Sequence, residues 1–410
     1  MNIAVIGADT RLGRRIAKDA FHRRHCVTAV VTDPSLLDSV KYTVVTGCEG
    51  FDPAGFDAVI DARSAELTIT RGGVVSTLVP PAELDPDGRR LGQYTLGEST
   101  EGYIGEEDFA LAAVDEAEGT EARRVTPVSG RAPALPEDGT GRRRYVALPD
   151  KGSAGKVYHL LMDDYNEYVA HFIADDRLLL AKQGEPFAAY ACQCLHCDDQ
   201  VWFVSFLRDK ECVTLILDEA QSLVTAIYAF AAAKKPLLAQ HRILFGAIKP
   251  FNGEVPFRRH GYTDEMAGTK ITWHYSPYVN ITHCYVNESY MRNSLAEMKP
   301  LPADAPAEAV FDAEDRVRRW GDIFFEEPAQ YIRINPHLYV VVLGEANRNR
   351  MDPVQGGGDM VLAINTRRMR DYGRGFHTGF GTPYFGLISA GGNWYDMPDP
   401  MDTAQSPYLV

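Results

Sequence analysis

The sequence predicts two fold classes in one chain: an α/β domain at the N-terminus, and after it an all-β region of two related antiparallel barrels. Three observations carry this expectation. The first sixty or so residues follow a strand, glycine turn, helix, strand rhythm; from Lys156 onward, short β-branched and aromatic runs succeed one another at hairpin spacing; and the order of those runs occurs twice.

The chain opens with a strand, Asn2 to Ile6, followed by the turn Gly7-Ala-Asp-Thr-Arg-Leu-Gly13 and a helix to about Arg24. A second strand, Val27 to Thr32, ends on Asp33, and a third, Ala58 to Asp61, follows Val44. A βαβ unit with a glycine turn reads as a Rossmann-type half. It resembles the atypical short-chain dehydrogenase group that includes NmrA-like and flavin-reductase-like NAD(P)H-binding proteins, whose loop looks like G-A-T-G-x-x-G. That resemblance implies an NAD(P)H site at Gly7 and Gly13. The chain departs from the pattern at Thr10, where the family has a glycine, and at Asp9, which adds a negative charge beside the place of a phosphate. The segments Leu84 to Gly97 and Tyr103 to Ala110 resemble the closing parts of the family but arrive soon after Asp61, without the elements that cover a nicotinamide. No Tyr-x-x-x-Lys pair occurs there. Residues 1–128 are therefore expected to form a truncated, degenerate Rossmann-like domain serving as a scaffold or for dimerisation, with no bound cofactor.

Ser129 to Lys151 shifts to Gly, Pro, Arg and acidic residues without hydrophobic periodicity, which is linker chemistry over 129–151. Strand patterns then follow at Lys156 to Met162, Tyr168 to Ala174, Leu178 to Lys182, Ala188 to Leu195, Val201 to Leu207, Val213 to Leu217 and Leu223 to Phe230, with Asp-Asp turn signals at 163–164, 175–176 and 198–199. Such a meander must close to protect its edges.

The pattern repeats when Gly155 to Phe230 is laid beside Gly268 to Phe376. KVYHLLMDDYNEYVAHFI falls beside KITWHYSPYVNITHCYVN, QVWFVSFLR beside HLYVVVLGE, and each half ends on a strand pair. Two related barrels over 152–250 and 251–410 follow. With Asn280-Ile-Thr-His-Cys-Tyr-Val-Asn287 as its most specific piece, this region resembles the N- and C-terminal lipocalin-like (calycin) domains of the MoaF family. It is also similar at fold level to phenolic acid decarboxylases, which use tyrosines, an arginine and a glutamate inside a small barrel and no cofactor.

Bulk properties narrow the function. The formal charge of −14 speaks against a nucleic-acid partner, which needs a basic surface. No apolar run reaches the length of a membrane span, and the N-terminus lacks a secretion pattern, so a cytoplasmic protein with reduced thiols is expected. The sequence leaves room for a homo-oligomer. All four Trp, sixteen of the twenty Tyr and nine of the eleven His lie after residue 150, so the chemistry is expected there.

Period-two alternation on the Gly268 to Asn287 hairpin puts Trp273 and Tyr275 on one face of the first strand and His283, Tyr285 and Asn287 on one face of the second, an unusually polar wall for a barrel. His283 and Tyr285 read either as an acid-base pair with a phenol donor or as satisfied polar groups of the wall. Arg333, two residues from Tyr331, reads as a carboxylate clamp with Glu345 as base or partner, or as half of an internal ion pair. Tyr278 and His377 join Trp273, Asn287 and Tyr331 as candidate substrate contacts; the glycine-rich loops around 347–358 and 373–381 read as lids or as ordinary connections. Cys192-Gln-Cys-Leu-His-Cys197 offers soft ligands but no second pair at zinc spacing, so no metal is expected. The function expected is a cofactor-independent lyase, decarboxylase or isomerase acting on a small aromatic or phenolic compound. The alternatives are a non-catalytic small-molecule-binding protein of the MoaF type and an NAD(P)H-dependent reductase.

Overall fold

In the N-terminal unit, the apolar run of β1 (Asn2–Ile6) pairs in parallel with β2 (Cys26–Val31) on one side and β4 (Ala58–Asp61) on the other. β3 (Thr43–Thr46) pairs in parallel with β2, giving the order 3-2-1-4 of a Rossmann half. These coordinates are a computed structural model, which describes residues 1–37, 42–86, 88, 90–131, 149–232, 235–250, 254–274, 280–294, 325–344, 358–377 and 383–394. Those up to 131 belong to one unit and those from 149 to a second.

Helix α1 (Arg11–His22) connects β1 to β2. Thr10 caps it, its hydroxyl accepting the Gly13 N–H at 3.0 Å. Where a full Rossmann fold would continue with crossovers, the chain turns back as an antiparallel hairpin, β5 (Leu67–Arg71) and β6 (Val74–Leu78), extending the sheet beside β4. β7 (Glu83–Asp85), β8 (Thr95–Gly97) and β9 (Tyr103–Gly105) are short; β7 and β9 form their own parallel pair. α2 (Glu106–Glu118) then leads into β10 (Arg124–Val128), which pairs with β6 and β8. The Ala-rich α2 comes close to α1, and Ile16, Ala17, Ala20, Phe109, Ala113 and Ala117 join the sheet residues in one core.

The second unit holds two closed rings of eight antiparallel strands. The first is β11 (Val157–Met162), β12 (Glu167–Ala174), β13 (Arg177–Lys182), β14 (Ala188–Asp198), β15 (Val201–Arg208), β16 (Glu211–Asp218), β17 (Leu223–Ala232) and β18 (Lys235–Ile248), closed by β11 pairing with β18. After the two-residue β19 (Gly261–Tyr262), the second ring runs β20 (Thr269–His274), β21 (Asn280–Asn287), β22 (Tyr290–Ser294), β23 (Phe325–Asn335), β24 (Leu338–Gly344), β25 (Gly358–Asn365), β26 (Arg370–His377) and β27 (Tyr384–Trp394), closed by β20 pairing with β27. The repeat in the sequence maps strand for strand: β11 and β12 match β20 and β21, β15 matches β24, and β16 and β17 match β25 and β26. The closing strand β18 lacks a counterpart among the expected strands; Gln240, His241 and Arg242 break its apolar pattern.

Barrel strands normally alternate apolar and polar, yet β15, β16 and β24 are buried along almost their whole length. The reason is that the rings pack on each other through their outer faces. Leu195, Phe203, Ile216 and Ile227 of the first meet Ile332, Val340, Val361 and Leu387 of the second in one apolar cluster. Polar ties border it: Asn335 Nδ2 donates to Asp198 at 2.8 Å, Gln221 Nε2 to the Ile334 carbonyl at 2.7 Å, and Asn365 Nδ2 to the Cys197 carbonyl at 3.0 Å. Between the rings Arg374 and Asp359, both fully buried, pair at 2.7 Å; Arg374 Nε also donates to the Thr214 hydroxyl, and His241 lies 2.8 Å from the other Asp359 oxygen. Among the described residues no helix is long and apolar enough to cross a membrane.

Candidate functional site

The two barrel interiors differ in kind. That of the first is filled by Tyr158, Phe172, Cys192, Cys194, Trp202 and Phe206 among others. It leaves only a small hollow, open to solvent, lined by Tyr168, Arg208 and Tyr228 among others. The guanidinium groups of Arg208 and Arg242 lie over the Tyr228 ring at 5.4 and 4.8 Å from its centroid. Sequence reasoning missed this arginine-tyrosine group, because Arg208 sits at a strand end, where a charge is ordinarily a solvated terminus, and Arg242 lies within β18, a strand absent from the sequence pattern. The thiols of Cys192 and Cys194 point into the packed core while Cys197 is buried on the opposite face, and the described residues contain no cluster of three metal-ligating groups.

In the second barrel β20 and β21 present their inward faces in register, Ile271 opposite His283 and Trp273 opposite Ile281. Trp273 and Tyr285 are fully buried and His283 is 5% exposed. The His283 ring stands nearly perpendicular to that of Tyr285 at 6.3 Å, and at the same distance from Trp273; Tyr285 packs edge-on against Tyr331 at 5.9 Å. Room for the Trp273 ring comes from Gly392 on β27, where a Cβ would lie 2.5 Å from the indole. Tyr331 is anchored, its hydroxyl donating to the Tyr290 carbonyl at 2.8 Å.

The other polar atoms of this group are not anchored. Trp273 Nε1, His283 Nδ1, the Tyr285 hydroxyl and Oδ1 of Asn293, the cross-strand neighbour of His283, are buried without a hydrogen-bond partner. The Trp273 N–H lies close enough to the Tyr285 oxygen to favour its ionised form, yet the pair misses hydrogen-bond geometry. Burial pushes the Tyr285 hydroxyl far up, with the buried carboxylate of Asp371 on β26 adding to the effect. Burial alone pulls the His283 imidazole down to about 3, so the ring is neutral at pH 7. A neutral imidazole can accept a proton and a high-lying phenol can donate a hydrogen bond; together they can polarise and reprotonate a bound molecule.

Other candidate residues lie elsewhere. Arg333 does not act inside the barrel: at the end of β23 it is 46% exposed and pairs with Glu265 at 2.7 Å, an ion pair at the rim that also takes the Tyr339 hydroxyl. Asn287 leaves the His283–Tyr285 face because the register shifts between Tyr285 and Asn287; its Oδ1 accepts the Ser289 and Tyr290 amides and builds the turn instead. His377 stacks on Tyr384 at 5.2 Å on β26, at the far end of that strand from Asp371. Tyr275, Tyr278 and Glu345, most of the 129–151 linker, the 347–357 and 378–381 loops, the stretch 299–308 and the tail after 394 lie outside the described residues.

The N-terminal loop holds its own donors and glycines in a tight turn. Gly7 holds a positive φ of 78°, and a Cβ on Gly13 would lie 2.0 Å from the Gly7 carbonyl oxygen, so both glycines serve the tight turn of helix onto strand. The Asp9 carboxylate accepts the Thr32 and Asp33 amides at 2.7 and 2.9 Å, and the Thr10 hydroxyl takes the Gly13 amide. A loop that spends its donors on its own side chains and carries a carboxylate does not suit a pyrophosphate.

No protein-family model matches the chain, and no curated protein is significantly similar to it in sequence. Several solved structures are similar to part of it, two of them as follows. One is described as an NADH-flavin reductase, from Streptococcus pneumoniae; it is 19% identical with a TM-score of 0.25, and the similarity covers 32% of this chain and 100% of that one. The other is described as an epimerase, from Bacteroides thetaiotaomicron; it is 21% identical with a TM-score of 0.26, covering 32% of this chain and 99% of that one.

Proposed function

We propose that the second barrel is the working part of the protein: it takes a small aromatic or phenolic compound into its interior and moves a proton on it without a bound cofactor. One observation carries this reading. Trp273, His283 and Tyr285 bring three buried polar atoms together with no partner, and each such atom costs about 1–3 kcal/mol unless something satisfies it. A ligand with a ring to stack and a polar group to share would do so. The resemblance of 280–287 to the MoaF family, which places the same segment in a lipocalin-like barrel, points the same way. His283, neutral and desolvated, is the proton acceptor, and Tyr285 the donor that holds the polarised oxygen.

The second reading is a carrier that binds such a compound without turnover. It is favoured by the depressed basicity of His283, whose conjugate acid at about 3 makes it a weak base at neutral pH. A reductase reading has the least support, given the Asp9 carboxylate in the N-terminal loop. Thermal shift with phenolic compounds and with NADPH, followed by product analysis without nucleotide, separates the three. Stabilisation by a phenol with product formation supports the enzyme, stabilisation alone the carrier, and stabilisation by NADPH alone refutes both.

A further inference from the structure

Resting on that reading, the interior of the second barrel also states which aromatic compounds it takes. The charged groups that the described strands turn inward are Asp371, fully buried, and Glu327, 1% exposed and opposite the inward Met291. Lys and Arg side chains are absent from the buried inward positions described. Arg333, on the inward-facing alternation of β23, lies at the exposed rim and is held by Glu265. Among the described residues, a carboxylate entering this space would lose its hydration, meet no inward cation and approach two buried acidic side chains.

The unsatisfied atoms set the complementary requirement. Trp273 Nε1 can only donate and Asn293 Oδ1 can only accept, while the Tyr285 hydroxyl and the His283 imidazole can do either according to their protons. A single hydroxyl on an aromatic ring, both donor and acceptor, matches that mixed set. A plain hydrocarbon leaves it unsatisfied. We infer that this barrel selects uncharged aromatic compounds bearing a hydroxyl or similar hydrogen-bonding group and rejects aromatic carboxylates. The substrate class is thereby a phenol or its neutral derivative. A phenolic acid, the substrate that an internal arginine clamp would require, is excluded.

The test uses the full chain at pH 7 and three probes: 4-ethylphenol, 3-(4-hydroxyphenyl)propionate and ethylbenzene, each titrated by calorimetry with tryptophan fluorescence as a second readout. Binding of 4-ethylphenol at least tenfold tighter than either of the others is expected. Asn293→Leu, which leaves the aromatic group in place, should weaken it severalfold. Equal or tighter binding of the propionate, or of ethylbenzene, overturns the inference while leaving an aromatic-binding barrel intact. Saturable binding of none of the three up to millimolar concentration overturns this inference and the proposed function together.

Discussion

Replacing Arg374 by methionine should destabilise the barrel pair by about 3 kcal/mol, near the lower end of the roughly 3–5 kcal/mol seen when one partner of a buried ion pair is removed. Arg374 and Asp359 are both fully buried and 2.7 Å apart. At an effective dielectric of about 20, unit charges at that separation attract by about 6 kcal/mol, much of which offsets the loss of hydration on both groups. The substitution removes the attraction and leaves the Asp359 carboxylate desolvated. His241, 2.8 Å from its second oxygen, limits the damage and sets the value at the low end. The partner control is Arg374→Met with Asp359→Leu, which removes both charges and should recover most of the loss. Urea unfolding followed by tryptophan fluorescence reads the barrel transition, since the described tryptophans 202, 273 and 394 all lie in barrel strands. A single variant within about 1 kcal/mol of the parent, or a double variant worse than the single, would refute the reasoning.

Three further outcomes follow from the same structure. The His283 imidazole falls from its ordinary value to about 3 on folding, so between pH 6.5 and 3 the unfolded chain binds the extra proton. Stability therefore rises with pH across that window by up to about 1.4 kcal/mol per unit, and acid titration of His283→Gln should show a shallower slope than the parent. For His241 burial alone would lower the value, but the hydrogen bond and charge of Asp359 outweigh it and the net direction is upward. Its contribution is thus fully present below about 6.5 and lost as pH rises through the raised value, a loss that His241→Asn should abolish in thermal melts taken from pH 6 to 9. Gly392→Ala pushes a Cβ to 2.5 Å from the Trp273 ring and should cost about 1–3 kcal/mol by overpacking, with a shifted Trp emission; an unchanged melting temperature and spectrum would place the indole elsewhere.

Much of the architecture was legible because it rests on periodicity. The βαβ opening, the Gly268 to Asn287 hairpin and the internal repeat all declare themselves through alternation and turn residues. Each appears in the structure with its strands in the expected order. β18 escaped notice because one of its faces meets the other barrel through His241 while Gln240 and Arg242 lie on the opposite face, so its polar residues answer to two environments at once. The clustering of Trp273, His283, Tyr285 and Tyr331 was readable for the same reason of alternation. Asn287 was lost to a bulge, which adds a residue without leaving a trace in composition. Arg333 obeys the alternation yet reaches the rim, since spacing fixes which face a side chain takes but not how deep in the barrel it lies. Asn293 and Asp371 carry no signal in composition; the β21–β22 pairing sets Asn293 beside His283, and closure of the ring brings Asp371 to Tyr285.

The packing of the two rings on one another has a consequence for how this chain came to hold two different interiors. Each ring offers the equivalent strands, β14–β18 on one side and β23–β27 on the other, and the ties at the border come in matched form: Gln221 to Ile334 is mirrored by Asn365 to Cys197, while Asp198 and Asn335, equivalent bulge positions, meet each other. That is the signature of a two-fold contact between like subunits, here written into a single polypeptide. Joining the halves makes their association intramolecular, held by effective concentration rather than by encounter. Identity of the halves is then no longer needed for assembly. One interior can fill itself with Phe172, Trp202 and Phe206 and serve as a rigid support, while the other is free to keep polar atoms unspent.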